Sequence, residues 1–237
     1  MNKDFIRNGT DVIGFGTDDF NVKIVDRKLA NDIIIENHYS KKFYNASYIH
    51  LGVYIENELI GILEYGYAMN PASGKSVVKG TGMKEYLELN RMWIDDKVGK
   101  NSESKSISYS IKYIKKVYPK IRWIQSFADE RCKCYGIVYQ ACSFKYYGEH
   151  TSTFWELDGK WYHNSLMTRN PELSKSAKYI QDNRSRTTKH SLRQFRYIKF
   201  LKKKYIKDCL LVEKPYPKYY EKDNVYKKEK VKLGWRK

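Results

Sequence analysis

Apolar and polar positions follow regular periods through the first two-thirds of the chain. Alternation predicts strands over residues 48–55, 59–67, 86–94 and 123–128, and a closing hairpin over residues 145–157 and 160–163. Helical spacing of apolar residues predicts helices over residues 26–36, 104–118 and 136–142. The long helix lies between two strands, which predicts a right-handed crossover and a parallel strand pair. We expect a mixed α/β sheet with helices on its faces.

The pattern changes after residue 168. Leu192, Phe195, Ile198 and Leu201 recur at helical spacing with basic residues between them, which predicts a basic amphipathic helix. Residues 213–237 alternate Tyr with Lys and contain two prolines, which favours an extended arm. We therefore predict a domain over residues 1–168 and a basic helical and extended C-terminal appendage over residues 169–237.

Charge is distributed unevenly along the 237 residues, whose net charge is +18. Residues 164–237 contain 22 Lys or Arg and 7 Asp or Glu, whereas residues 1–163 contain 23 and 20. A concentrated basic segment is typical of a protein that binds a polyanion such as nucleic acid. A solubilising tail, or the Lys-rich composition of an AT-rich genome, is the alternative explanation.

Other features of the composition narrow the class of protein. No apolar run approaches the roughly 18 residues that span a bilayer, and the N-terminus has no apolar signal core. The four cysteines match no standard zinc spacing, which favours reduced thiols. We expect a cytoplasmic protein with no membrane partner.

Asp129 ends a buried strand, and Tyr139 follows it on a short predicted helix. Ligands of open α/β sheets bind at the carboxyl ends of the strands, so Asp129 is a candidate site residue. An ordinary turn or helix-capping Asp is the competing interpretation. His38 and Tyr39 stand side by side after the first predicted helix, and they form a second candidate pair.

Two further positions carry possible chemistry. Arg91 lies inside an otherwise apolar strand, so its charge needs a partner or a function; Glu64 and Glu88 are candidate partners. The start of the long helix is rich in polar side chains that could hold the phosphate of a cofactor: Asn101, Ser102, Ser104 and Ser106. An ordinary capped helix start remains the alternative.

Several short motifs occur in a specific order: NHYS (37–40), LNRMW (89–93), SFAD (126–129), GIVYQA (136–141) and DGKWYH (158–163). Together they resemble the Mom DNA-modification proteins of phage Mu type, which look like a divergent branch of the GNAT acyltransferase fold. The resemblance covers roughly residues 25–168. It implies a transferase that converts adenine N6 in DNA to an acetamido (carbamoylmethyl) adduct, which protects phage DNA from host restriction in the host cytoplasm.

The resemblance also implies site residues. His38, Tyr39, Asp129 and Tyr139 match the family's set, which is thought to surround iron, and Arg91 matches the strand arginine. These side chains are expected to face one cleft, with Asp129 as the base and Tyr139 as the acid for the leaving group. A metal-free version of the same acid–base chemistry stays open. The loop at residues 99–106 lacks the glycines that bind coenzyme A, so the group donor stays open.

Double-stranded DNA is the expected partner, and a paired adenine has to be extruded from the duplex before it reacts. The predicted phosphate contacts come from the basic segment: Arg184, Arg186, Lys189, Arg193 and Arg196. Two other functions remain as alternatives. One is an acyl-CoA-dependent N-acyltransferase that acts on protein or a small molecule, and the other is a non-catalytic DNA-binding protein.

Overall fold

The computed structural model describes residues 3–132 and 135–218. Within them, one ten-stranded sheet contains β1 Asp4–Asn8, β2 Asp11–Gly16, β3 Asn21–Ile24, β4 Ser47–Ile55, β5 Glu58–Gly66, β6 Tyr86–Ile94, β7 Trp123–Asp129, β8 Lys145–Leu157, β9 Lys160–His163 and β10 Thr188–Phe200. Five α-helices accompany it: α1 Arg27–Asn37, α2 Ser102–Val117, α3 Ile137–Ala141, α4 Ser165–Thr168 and α5 Lys175–Asp182. None of the described helices is long and apolar enough to cross a bilayer.

The strands follow the order β1-β2-β3-β4-β5-β6-β7-β10-β8-β9. Only β6 and β7 pair in parallel, with α2 as the crossover between them, which confirms the predicted strand–helix–strand unit. Their ladder pairs Tyr86–Glu88 with residues 123–125 and then stops, although β6 continues to Ile94 and β7 to Asp129. The two strands therefore diverge, and an opening forms between their carboxyl-terminal halves.

Each face of the sheet buries a different helix. On the α2 face, Ile107 and Ile114 of α2 belong to the largest apolar cluster, together with Ile124 and Ala128 of β7. On the α1 face, Ala30 and Ile34 of α1 pack against Ile62 of β5. Successive side chains of a strand point to opposite faces, so Asp129, which follows Ala128, belongs to the α1 face.

The periodicities locate most of the elements. The strands from β4 to β9 and helices α1, α2 and α3 lie within two residues of their predicted bounds. Strands β1, β2 and β3 are absent from the prediction, because they are only four to six residues long and none shows a clear alternation of buried and exposed positions. These strands extend the sheet beyond β4.

The predicted basic amphipathic helix is wrong, because the segment forms strand β10. This strand pairs antiparallel with β7 on one side and with β8 on the other, so it lies inside the sheet of the predicted first domain. Phe195 and Tyr197 are buried on the α2 face, while Ile198 is buried on the α1 face. Because β10 is buried on both faces, its apolar residues do not alternate with polar ones. Their spacing of three residues therefore resembled that of a helix. Of the predicted extended arm, residues 219–237 lie outside the described residues.

Candidate active site

Asp129 is the last residue of β7, and only 5% of it is exposed. Its Oδ1 accepts a hydrogen bond from the backbone N–H of Arg131 at 2.9 Å. Its Oδ2 accepts from Nε of the same arginine at 2.8 Å and also from Nη2. The chain thus turns back so that a guanidinium neutralises the carboxylate. Sequence reasoning missed Arg131, for which the only local signal is the Asp-x-Arg spacing.

His38 and Tyr39 reach the same place from the loop after α1. The backbone N–H of His38 caps α1 through the carbonyl of Ile34, and its side chain is buried. The hydroxyl of Tyr39 lies 3.4 Å from Oδ2 of Asp129, and the rings of His38 and Tyr39 are 4.3 Å apart. The structure therefore brings together three of the predicted residues, although 90 positions separate Tyr39 from Asp129.

The charge states of these groups follow from their burial. Burial, together with the positive charges of Arg91 and Arg131, lowers the pKa of His38 to about 3. Nδ1 of His38 accepts from the backbone N–H of Ser40 at 3.1 Å, as a neutral imidazole does. Burial raises the pKa of Tyr39 well above its usual range. At neutral pH the site thus contains an uncharged imidazole and an un-ionised phenol.

Aromatic rings surround the guanidinium of Arg131. Its central carbon is 4.1 Å from the ring centroid of Phe154, 5.5 Å from that of Tyr39 and 5.9 Å from that of Trp161. His163 meets Phe154 edge-on at 5.4 Å. We call the space bounded by Tyr39, Phe154 and Trp161 the aromatic slot. The Arg131 guanidinium occupies this space, where it lies over Phe154 and beside Asp129.

Arg91 does not pair with either predicted carboxylate. Its Nε donates to the carbonyl of Lys42 at 3.0 Å, and its Nη1 donates to the carbonyl of Asn90 at 2.6 Å. Glu64 is instead hydrogen-bonded to Nδ1 of His50 at 3.0 Å. Arg91 therefore ties the loop after α1 to β6, and it adds a positive charge that acts on both His38 and Tyr39.

Glu88 lies where β6 and β7 begin to diverge. It accepts hydrogen bonds from Nε2 of Gln125 at 2.8 Å and from Nδ2 of Asn90 at 3.4 Å. Burial raises the pKa of its carboxyl group. Oε1 of Gln125 is buried, and within the described part of the chain it has no hydrogen-bond partner. The end of the opening thus carries polar groups with unused hydrogen-bonding capacity.

Tyr139 does not join the three clustered residues on the α1 face. Its ring packs against Phe144 at 5.8 Å and Tyr197 at 5.4 Å, in the apolar cluster on the α2 face. Its phenol also interacts electrostatically with that of Tyr65 on β5, whereas Tyr197 belongs to β10. Strands β6 and β7 separate β5 from β10 in the sheet. Tyr139 therefore lies over the region of the opening, on the opposite side of the sheet from Asp129.

The polar side chains at the start of α2 are engaged within their own turn. Asn101 has a left-handed backbone (φ +70°) and makes no side-chain cap. The hydroxyls of the three serines donate to backbone carbonyls: Ser102 to Gly99, Ser104 to Asn101 and Ser106 to Ser102. A phosphate at this helix start would consequently be held by backbone N–H groups and not by the predicted hydroxyls.

The five predicted DNA contacts do not share one surface. Arg193 is hydrogen-bonded to Glu130 at 2.7 and 2.9 Å, and Arg186 forms a 2.6 Å ion pair with Asp158. Arg196 is half-buried over Phe127 on the α1 face. The remaining two, Arg184 and Lys189, lie near the ring of Trp155 on the other face. Arg186 and Arg193 already have carboxylate partners, so they are less available to bind phosphate groups.

The donor groups of the site do not fit an iron ion in this arrangement. Both oxygens of Asp129 accept hydrogen bonds from Arg131, so the carboxylate would have to give up these contacts to bind a metal ion. Within residues 3–132 and 135–218, no group of three or more His, Cys, Asp or Glu side chains could hold a metal ion. As arranged, with Asp129 bound to Arg131, these side chains are suited to acid–base chemistry.

Comparison with known proteins gives a family and a relative. Residues 19–218 match the family model described as the Mom protein family. The methylcarbamoylase Mom of Escherichia phage Mu is 45% identical over 210 residues, which cover 87% of each chain. Among solved structures, Arabidopsis thaliana NAA60 with a bisubstrate analogue has a TM-score of 0.48 at 10% identity, covering 76% of this chain and 97% of that one. Spermidine/spermine N-acetyltransferase SpeG from Vibrio cholerae has a TM-score of 0.47 at 13% identity, covering 80% and 96%.

Proposed function

The chain belongs to the Mom protein family, and we propose that it is a transferase that modifies phage DNA in the host cell. The reaction is the transfer of a carbamoylmethyl (acetamido) group to the exocyclic N6 of adenine in double-stranded DNA. The observation that carries the proposal is the 45% identity, over 87% of both chains, with a methylcarbamoylase of phage Mu. The arrangement of the site supports it in three ways.

The aromatic slot supports a flat substrate. A paired adenine is hidden in the duplex, so the enzyme has to extrude it and stack it on side chains. Phe154 and Trp161 offer ring faces next to Asp129, and the Arg131 guanidinium occupies that space in this structure. An adenine stacked on Phe154 would bring its N6 to the carboxylate after Arg131 has swung aside.

The Asp129 carboxylate supports removal of a proton from N6. The N6 lone pair is delocalised into the purine ring, so the amine needs a hydrogen-bond acceptor that takes its proton as the new bond forms. The Tyr39 hydroxyl and the backbone N–H of Arg131 hold Asp129 in one orientation, and both contacts can remain when the Arg131 guanidinium moves aside. The neutral His38 beside Tyr39 fixes the position of the phenol ring.

Tyr139 supports the departure of the donor's leaving group from the other side of the sheet. Asp129 and Tyr139 lie on opposite faces, and the opening between β6 and β7 is the route by which the transferred group passes between them. Tyr139 then serves as the acid that protonates the leaving group, while Asp129 faces the nucleophile.

Nucleoside mass spectrometry of DNA from cells that express the protein tests the proposal. We expect a deoxyadenosine in which CH2CONH2 replaces one N6 hydrogen, and we expect Asp129→Asn to lower its yield by about 10²–10⁴-fold. Asp26→Asn is the matched control, because Asp26 is an exposed cap of α1 and Asn caps equally well. Unmodified deoxyadenosine from folded, abundant protein would contradict the proposal.

The same experiment separates the alternatives. A non-catalytic DNA-binding protein would leave the nucleosides unchanged while the protein still bound DNA. An acyltransferase that acts on protein or a small molecule would leave the nucleosides unchanged and show no affinity for DNA.

A further inference from the structure

Three lysines outside the predicted DNA-binding set lie between the border of the aromatic slot and a cavity beside α5: Lys42, Lys160 and Lys175. We call them the lysine track. We propose that the lysine track binds the sugar-phosphate backbone of the DNA strand whose base enters the aromatic slot. The proposal rests on the proposed function for the identity of the polyanion, and it replaces the five contacts expected from the sequence.

Lys42 is the residue of the lysine track nearest to the aromatic slot, and it lies against β9 at the end of the sheet. Its Nζ donates to the carbonyl of Trp161 at 3.3 Å and lies 5.5 Å from the ring centroid of Tyr162. Trp161 borders the slot, whereas Tyr162 points to the other face of β9 and lines a cavity. Lys42 therefore connects the slot with that cavity.

The other two lysines of the track line this cavity, whose volume is about 300 Å³. Its walls come from the β8–β9 turn and the start of α5, and they carry Asp158, Lys160, Tyr162, Lys175, Ser176 and Tyr179. Lys160 and Lys175 are exposed and form no ion pair within the described residues. Both lysines are thus available to an anion in the cavity.

The acidic residue of the cavity is already neutralised. Asp158 forms an ion pair with Nη2 of Arg186 at 2.6 Å and accepts from the hydroxyl of Tyr179 at 2.6 Å. The cavity also lies at the N-terminus of α5, where backbone N–H groups favour negative ligands. The net field in the cavity is therefore positive.

Positive charge also accumulates between the cavity and the slot. Burial lowers the pKa of Lys42, and the charges of Arg131, Lys160 and Arg91 lower it further. Arg91 donates to the backbone carbonyls of Lys42 and Asn90, and among residues 3–132 and 135–218 it forms no ion pair. A row of cations that repel one another is stabilised when a polyanion lies along it.

The track differs in this respect from the five basic residues predicted from the sequence. Arg186 and Arg193 are held by Asp158, Glu130 and Glu149. Lys42 contacts Trp161 at the border of the slot, whereas Arg184 and Lys189 lie beside Trp155, on the same face of the sheet as Tyr162 and the cavity. A strand whose base enters the slot would meet Lys42 at the border between the slot and the cavity.

DNA affinity measured by fluorescence anisotropy over a range of salt concentrations tests the proposal on the full-length protein. Each phosphate contact contributes about −0.9 to the slope of log Kobs against log salt concentration. We expect the double variant Lys160→Gln/Lys175→Gln to make the slope less negative by about 1.8, and Lys42→Gln by about 0.9. The substituted side chains are surface groups, and unchanged thermal unfolding verifies that each variant is folded.

The control is Lys112→Gln/Lys115→Gln, which removes the same charge from exposed positions on α2. We expect this variant to keep the parent slope. The proposal is overturned if the control makes the slope less negative by as much as Lys160→Gln/Lys175→Gln does. It is also overturned if Arg184→Gln/Lys189→Gln makes the slope less negative while the variants of the lysine track leave it unchanged.

A small phosphate-bearing group donor could use the same chemistry, and inorganic pyrophosphate distinguishes it from DNA. Pyrophosphate binding that disappears in Lys160→Gln/Lys175→Gln, with an unchanged DNA slope, would assign the track to the donor and overturn the proposal. A parent protein with no affinity for DNA would overturn the proposed function as well. A parent with a steep slope that all track variants retain would overturn the track alone.

Discussion

His38 illustrates how burial sets the chemistry of a single residue. Its pKa of about 3 means that the folded protein holds a neutral imidazole, while the unfolded chain titrates near 6.5. Between these two values the unfolded state binds more protons than the folded state. The stabilisation is therefore complete above pH 6.5 and is lost progressively as the pH falls towards 3.

We predict that His38 contributes up to about 1.4 kcal/mol per pH unit to the loss of stability in that window. In His38→Asn the amide oxygen can still accept from Ser40 N–H, so the variant retains the local contact but has no titrating ring. Urea unfolding at pH 7 and pH 5 measures the difference. If the unfolding free energies of parent and variant changed equally between pH 7 and pH 5, the lowered pKa of His38 would be contradicted.

Arg131 is a site residue that could not be identified from the sequence. Its guanidinium both neutralises Asp129 and stacks on Phe154. The Asp-x-Arg spacing allowed the first contact but gave no indication of the second, because Phe154 reaches the site through the pairing of β8 with β10. A local turn can be anticipated from neighbouring residues, whereas an aromatic wall from a distant strand cannot.

Among the elements, the short helix α3 depends on one glycine. Gly136 precedes it with φ +75°, and a Cβ at this position would lie 2.5 Å from Cε2 of Tyr197. Gly159, at the β8–β9 turn, has a similar φ of +69°, but a Cβ there would meet no atom within 4 Å. The two positions thus share the backbone strain and differ only in crowding.

We predict that Gly159→Ala costs about 1–2 kcal/mol of unfolding free energy, because an L-residue adopts the left-handed region poorly. Gly136→Ala should cost about 1–3 kcal/mol more, because the added methyl group displaces Tyr197 from the core. It should also lower modification activity, since α3 carries Tyr139. Denaturant unfolding of both variants measures the difference, and equal costs would show that Tyr197 moves without penalty.

Strand β10 is the element whose role differs most from the prediction. It occupies the place between β7 and β8, and Phe195, Tyr197 and Ile198 are fully or almost fully buried. We predict that a chain ending at residue 168 fails to fold, because two strands lose their common partner. A chain ending at residue 218 is the control that keeps β10, and near-UV circular dichroism compares the two. A native-like spectrum from the shorter chain would contradict the topology.

For the whole molecule, the net charge of +18 is the property relevant to a polyanionic substrate. Residues 219–237 contain seven Lys or Arg and three Asp or Glu, so a chain that ends at residue 218 still carries +14. We predict that this shorter chain binds DNA with a salt slope close to that of the full chain, because the lysine track remains. A slope that falls to near zero would place the phosphate contacts in residues 219–237.

The sequence by itself determined the family, the mixed sheet, most element bounds and the position of Asp129 at the end of a strand. These features depend on local periodicity and on short motifs, and the match to the Mom family confirmed the resemblance. Only the tertiary structure decided that residues 188–200 form a central strand and that Tyr139 lies opposite Asp129. The physical reason is that a strand buried on both faces has no period of its own, so its partners and the faces of its side chains are fixed by pairing with distant strands.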